Sequence, residues 1–272
     1  MSAGRKPVRS ADRPPELCLE VCVDSVAGLD AAVYSGATRV ELCSALSVGG
    51  LTPSFGLMSA AAAAGIACAV LIRPRAGDFC YGEREIDVMR RDIDQTRSLG
   101  LSAVVIGASR RDGELDEDVL KQLITHAADL PAVLHRAFDL VPDPGAALEK
   151  AIQLGFKRVL TSGGATDAIA GCEVIGQLVS QAAERIEVMA GAGIRPRNVA
   201  DLMRRTGVTI IHSSCSSEAP EAAGRLGAHA RALGFFPSPY EVTDPGVIRE
   251  MLAAMAIYDA VTTYHGLETP RR

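Results

Sequence analysis

Residues 17–23 read LCLEVCV and residues 39–43 read RVELC, two short aliphatic runs broken at alternate positions by carboxylates and thiols. Successive side chains of a strand point to opposite faces. Leu17, Leu19, Val21 and Val23 therefore share one face, and Cys18, Glu20, Cys22 and Asp24 share the other. By the same parity Val40 and Leu42 lie opposite Glu41 and Cys43. Helices packed on the aliphatic face leave the polar set looking inward, and a closed barrel supplies an inside for it.

The run recurs as ACAVLI (67–72), SAVVIGA (102–108), AVLHRAF (132–138), RVLTSG (158–163), IEVMAG (186–191) and TIIHSS (209–214), eight runs in all. Amphipathic stretches separate them, and Gly36, Gly65, Gly100, Gly155 and Gly207 mark helix ends before a strand, with Pro131 in that role once. Asp143 before Pro144 and Asp244 before Pro245 read as helix caps followed by a first-turn proline. A period of roughly thirty residues is one βα unit. Eight such units predict an α/β fold of the (β/α)8 TIM-barrel type, with a doubly wound sheet as the alternative. The 272 residues suit it, because such barrels run to about 250 as one unit. The expected division is a disordered tail over 1–16, a single barrel domain over 17–260 and a C-terminal tail over 261–272.

The composition, 48% apolar and 22% charged, is that of a chain with ample core. A net charge of -5 without a basic run argues against nucleic acid or an anionic membrane as partner. The apolar stretch Ala60 to Ile72 is too short to cross a bilayer, and the first residues lack the apolar segment of a secretory signal. Seven scattered cysteines with no CxxC pair suit a reducing cytoplasm.

Parity sorts further residues into the lumen. Leu71, Arg73 and Arg75 share a face, and His135 and Asp139 share one at the end of the fifth run. Polar and glycine residues collect at the carboxyl ends of the strands, where barrel enzymes build their sites. Arg73 and Arg75 could clamp an anion or neutralise Glu20 and Glu41. His135 could act as general acid or base with Asp139 fixing its tautomer, and His212 is a second candidate. Glu20 and Glu41 join them as candidate catalytic carboxylates. Gly163 and Gly164, Gly191 and Gly193, and Ser213 and Ser214 lie where barrels bind phosphate. No GxGxxG opens a helix, so no dinucleotide, and no other organic cofactor, is expected.

The stretches EVCVDS, RVELCSALSVGGLTPS, IRPRAGDFCY, REIDVMRRDI, HRAFDLVPDP, GFKRVLTSGG, GAGI and HSS, in order from about Glu20 to His212, resemble the copper homeostasis protein CutC family. The resemblance implies a TIM barrel, a homo-oligomer, and Cu(I) on the cysteines matching Cys22 and Cys43. One departure is Ala192 in GAGI, where relatives often carry a third glycine. Neighbouring strands lie about 4.8 Å apart, so lumen-facing thiols on both could reach one soft ion. Buried cysteines also pack without metal, which is the better reading for Cys18, Cys68, Cys80, Cys172 and Cys215. The alternative to copper handling is a lyase or isomerase acting on a small phosphorylated or carboxylated metabolite. A third possibility is an interaction protein with a vestigial pocket.

Overall fold

The computed structural model describes residues 17–219, 225–235 and 240–267. All eight aliphatic runs form strands: β1 (Cys18–Val23), β2 (Arg39–Leu42), β3 (Cys68–Leu71), β4 (Ala103–Ile106), β5 (Ala132–Leu134), β6 (Arg158–Thr161), β7 (Glu187–Ala190) and β8 (Ile210–Ser213). They pair in parallel in sequence order, and β8 closes on β1. The connecting helices are α1 (Val26–Tyr34), α2 (Phe55–Ala64), α3 (Glu83–Ser98), α4 (Glu117–Ala127), α5 (Pro144–Leu154), α6 (Cys172–Ala182) and α7 (Pro196–Thr206). The chain is a TIM barrel, not a doubly wound sheet.

Local chemistry sets the helix ends. The Ser54 and Asp143 side chains accept from the amides of Leu57 and Ala146, covering donors that the first turn leaves free. Gly65, Gly155 and Gly207 end α2, α5 and α7 in the left-handed conformation that a glycine adopts without strain.

The alternation of side chains along the strands builds two separate cores. Leu19, Val21, Val40, Leu42, Val70 and Ile72 belong to the large layer between sheet and helices. Cys18, Cys43, Ala69, Leu71, Val105 and Leu160 belong to a smaller cluster that fills the lumen. Side chains plug the barrel from within, so any pocket is confined to its ends.

After β8 the chain departs from the simple repeat. A two-stranded antiparallel sheet forms from β9 (Ser216–Glu218) and β10 (Glu241–Thr243), with α8 (Arg225–Ala232) between them in sequence. Helix α9 (Pro245–Leu267) then packs against α7 and α1, taking the place of the eighth barrel helix. Its buried Ile248, Met251 and Met255 complete the outer layer. It runs into the segment expected as a C-terminal tail. The expected N-terminal tail, and the chain end from 268, lie outside the described residues.

Candidate functional site

A cavity of about 270 Å³ opens at the carboxyl ends of the strands. Cys22 and Glu41 line it from β1 and β2, His212 and Ser213 from β8, and Ala192, Gly193 and Arg195 from the loop after β7. Arg73, Phe79, His135 and Arg136 form the opposite wall.

The lumen carboxylates converge on one histidine. Glu20 and Glu41 are both buried, and His212 stands between them, its Nδ1 at 2.9 Å from Glu20 and its Nε2 at 3.5 Å from Glu41. Burial opposes the charged form of His212, but Cys22, Glu20 and Glu41 together hold its pKa well above the ordinary value. Burial also opposes Glu20, yet the hydrogen bond from His212 and the Arg39 guanidinium at 2.5 Å bring its pKa to about 2. Glu41 has only the longer contact with His212 and no arginine, and burial, with the Glu20 charge, pushes its carboxyl up to about 7. Two like residues on adjacent strands thus differ in protonation, as in sites that divide acid and base work. Glu20, Glu41 and His212 could offer hard ligand atoms to a cation, being within 4.8 Å of one another, but the Arg39 charge already sits against them.

The two candidate thiols occupy different levels. Cys22 lines the cavity opposite Glu41 in the register of β1 and β2. Cys43 lies just past the end of β2, is 1% exposed, and packs with the lumen cluster. Burial, then the charges of Glu41 and Cys22, pushes its thiol well above the usual range. All seven cysteines are free thiols.

Several expected roles are redirected by the tertiary contacts. Arg73 does line the cavity, but its Nη atoms donate to the carbonyls of Val48, Gly50 and Gly77 at 2.8–2.9 Å, so it neutralises neither carboxylate. Arg75 leaves the lumen altogether: it pairs with Glu85 at 2.5 Å and Asp78 at 2.8 Å and ties the loop before α3. The strand has ended by Leu71, so period-two parity no longer governs residue 75. Asp139 does not touch His135. The His135 Nδ1 accepts from the Ala137 amide at 3.0 Å, capping the short 3-10 turn Arg136–Leu140. Asp139, in that turn, points the other way.

Its carboxylate takes the Thr161 hydroxyl at 2.6 Å and the amides of Ser162 and Gly164 at 3.0 and 3.1 Å. The glycine-rich turn after β6, expected as a phosphate cradle, is therefore filled by the protein's own anion. Gly191 is a packing glycine, since a Cβ there would come within 2.6 Å of Leu160. Gly193 and Ser213 do reach the cavity wall, although the Ser213 hydroxyl donates to the Ile194 carbonyl at 3.1 Å.

Four residues escaped the reading of the sequence. Arg39, the true partner of Glu20, was legible by parity, sharing a face with Glu41 two positions on. Phe79, Arg136 and Arg195 stand in loops or beyond strand ends, where alternation carries no signal.

A barrel of eight parallel strands, with a small charged cavity at their carboxyl ends, places this protein among the TIM-barrel proteins. Within that class the chain belongs to the CutC family, whose model matches residues 17–217. It is 52% identical over 237 residues to a CutC family protein of Caulobacter vibrioides, covering 87% of this chain and 96% of the relative. To one of Agrobacterium fabrum it is 49% identical over 245 residues, 89% and 95% of the two chains. Among solved structures it is similar to a CutC of Streptococcus agalactiae, whose name assigns it to copper homeostasis. Identity there is 34%, the TM-score is 0.70, and the match covers 73% of this chain and 98% of the other.

Proposed function

We propose that this chain serves copper homeostasis, with Cu(I) as its cargo held by the thiols of Cys22 and Cys43. The observation that supports this reading is the placement of the two thiols, Cys22 on β1 in the cavity wall and Cys43 just past the end of the neighbouring β2 in the lumen cluster, with Cys22 near enough to act on the ionisation of Cys43. Free thiols suit a soft monovalent ion in kind, and binding must displace the proton that burial holds on Cys43. The name carried by the Streptococcus agalactiae relative points the same way. An anaerobic Cu(I) competition titration against a chromogenic chelator tests it. Tight one-to-one binding, lost in a folded Cys22→Ser, Cys43→Ser variant, is expected. Binding that survives the double substitution would retire the reading. With it go two companion proposals, a cytoplasmic location and a homo-oligomer. Among the described residues no helix is long and apolar enough to cross a membrane.

A second reading is favoured by the opposite wall of the same cavity. Arg73, His135 and Arg136 line it together, with Arg195 facing them from the loop after β7, and guanidinium and imidazole groups bind carboxylate and phosphate. With the protonated His212 and Glu41 across from them as acid and base, the cavity suits a lyase or isomerase acting on a small phosphorylated or carboxylated metabolite. No organic cofactor enters this reading. Raised melting temperature in malonate or phosphoglycolate, at constant ionic strength, is its first expected sign.

A further inference from the structure

Arg73, whose guanidinium lies against the Tyr81 hydroxyl, and His135 stand together on the cavity wall, and the buried Nε2 of His135 has no acceptor among the described residues. Both residues are more than nine-tenths buried, at 6% and 5% exposure. They flank Phe79, whose ring centroid lies 4.7 Å from that of His135 and 5.0 Å from the Arg73 guanidinium carbon. A buried donor left without an acceptor is costly, so the ring N–H at this corner of the cavity points to an acceptor that arrives from outside.

The tautomer of His135 follows from its contacts. Nδ1 accepts the Ala137 amide at 3.0 Å, so in the neutral ring the proton is on Nε2. Burial, reinforced by the Arg73 charge, brings the pKa of the ring to about 3, which keeps it neutral. His135 is thus suited to donate a hydrogen bond and unsuited to accept a proton at neutral pH. A Cβ at Gly107 would fall 2.3 Å from the imidazole, so that glycine makes room for the ring in this position.

We propose that His135, through its Nε2–H and beside the Arg73 charge, seats the oxyanion group of a small ligand, a carboxylate or a phosphate, at the Phe79 corner of the cavity. This rests on the small-anion reading of the cavity and assigns its anchor. The rim arginines Arg136 and Arg195 add positive charge at the entrance, at 43% and 30% side-chain exposure. Arg75 is a positioning residue here: its bonds to Asp78, the Cys80 carbonyl and Glu85 clasp the loop that carries Phe79.

The test is isothermal titration of the full chain with malonate and with inorganic phosphate, with chloride as control, alongside nitrogen-detected NMR of the imidazole resonances. Saturable binding by one or both anions is expected, with the His135 Nε2 resonance moving on titration. The preferred anion tells carboxylate from phosphate. His135→Phe should weaken binding roughly ten- to hundredfold, the range of one hydrogen bond to a charged group, and His135→Gln, which restores a donor near Nε2, should recover most of it. Binding with an unmoved Nε2 resonance, or unchanged in a folded His135→Phe variant, overturns this assignment and leaves the small-anion reading standing. Absence of binding by either anion removes both. The wild-type NMR readout serves even if the Phe variant fails to fold.

Discussion

His135 carries a pH signature of its own. Its ordinary pKa of 6.5 falls to about 3 in the folded chain, so between those values the unfolded chain binds the extra proton. The neutral ring's contribution is then intact above about pH 6.5 and is lost as pH falls toward 3. Urea melts of the native protein against His135→Gln should show the native curve falling more steeply with acid in that window, by up to about 1.4 kcal/mol per pH unit. Parallel curves would mean that the ring is not buried neutral. A second residue-scale expectation concerns Ala192, which holds φ at 77° in the left-handed region. That conformation costs an L-residue roughly 1–2 kcal/mol, while glycine loses about 0.4–1 kcal/mol through the unfolded chain. Ala192→Gly should therefore be neutral or stabilising, by up to about 1.6 kcal/mol in chemical denaturation, and a clear loss would contradict a left-handed backbone at this position.

The short 3-10 turn after β5 shows how one element is pinned to its neighbour. Asp139 accepts from Thr161, Ser162 and Gly164 and pairs with Arg136 at 2.7 Å. It joins the end of β5 to the end of β6. Asp139→Ala leaves those donors without their acceptor, and a loss of about 2–4 kcal/mol is expected. Asp139→Asn, keeping an acceptor oxygen, should cost less. Denaturant midpoints of the two variants decide this, and equal losses would mean that charge, not hydrogen bonding, holds the turn. The sequence marked Asp139 as a site residue because it shares parity with His135. Once β5 ends at Leu134 the chain turns, and the carboxylate faces β6 instead of the imidazole.

At the scale of the molecule the barrel depends on a helix outside the βα repeat. Met251 on α9 is fully buried in the outer layer, and α9 packs on α7 and α1. Met251→Ala should destabilise the whole barrel by about 2–5 kcal/mol, the range for large-to-small changes in a core, with far- and near-ultraviolet signals lost in a single transition. A melt in which only part of the signal moves early would show α9 to be a separate unit.

The sequence alone determined the eight βα repeats, the inward face of the first three strands, most helix ends and the lumen placement of Glu20, Cys22, Glu41 and Cys43. These follow from periodicity, capping and chain sterics, which act over a few residues and are written locally. Only the tertiary structure decided that the repeats close into a barrel, that Arg39 rather than Arg73 answers Glu20, that Asp139 fills the turn after β6, that Arg75 clasps a loop, and that His135 keeps a free donor beside Phe79. Those outcomes join residues from different loops and strands, and the interactions that choose among partners, hydrogen bonding and charge under desolvation, take effect only when folding has removed the water between them.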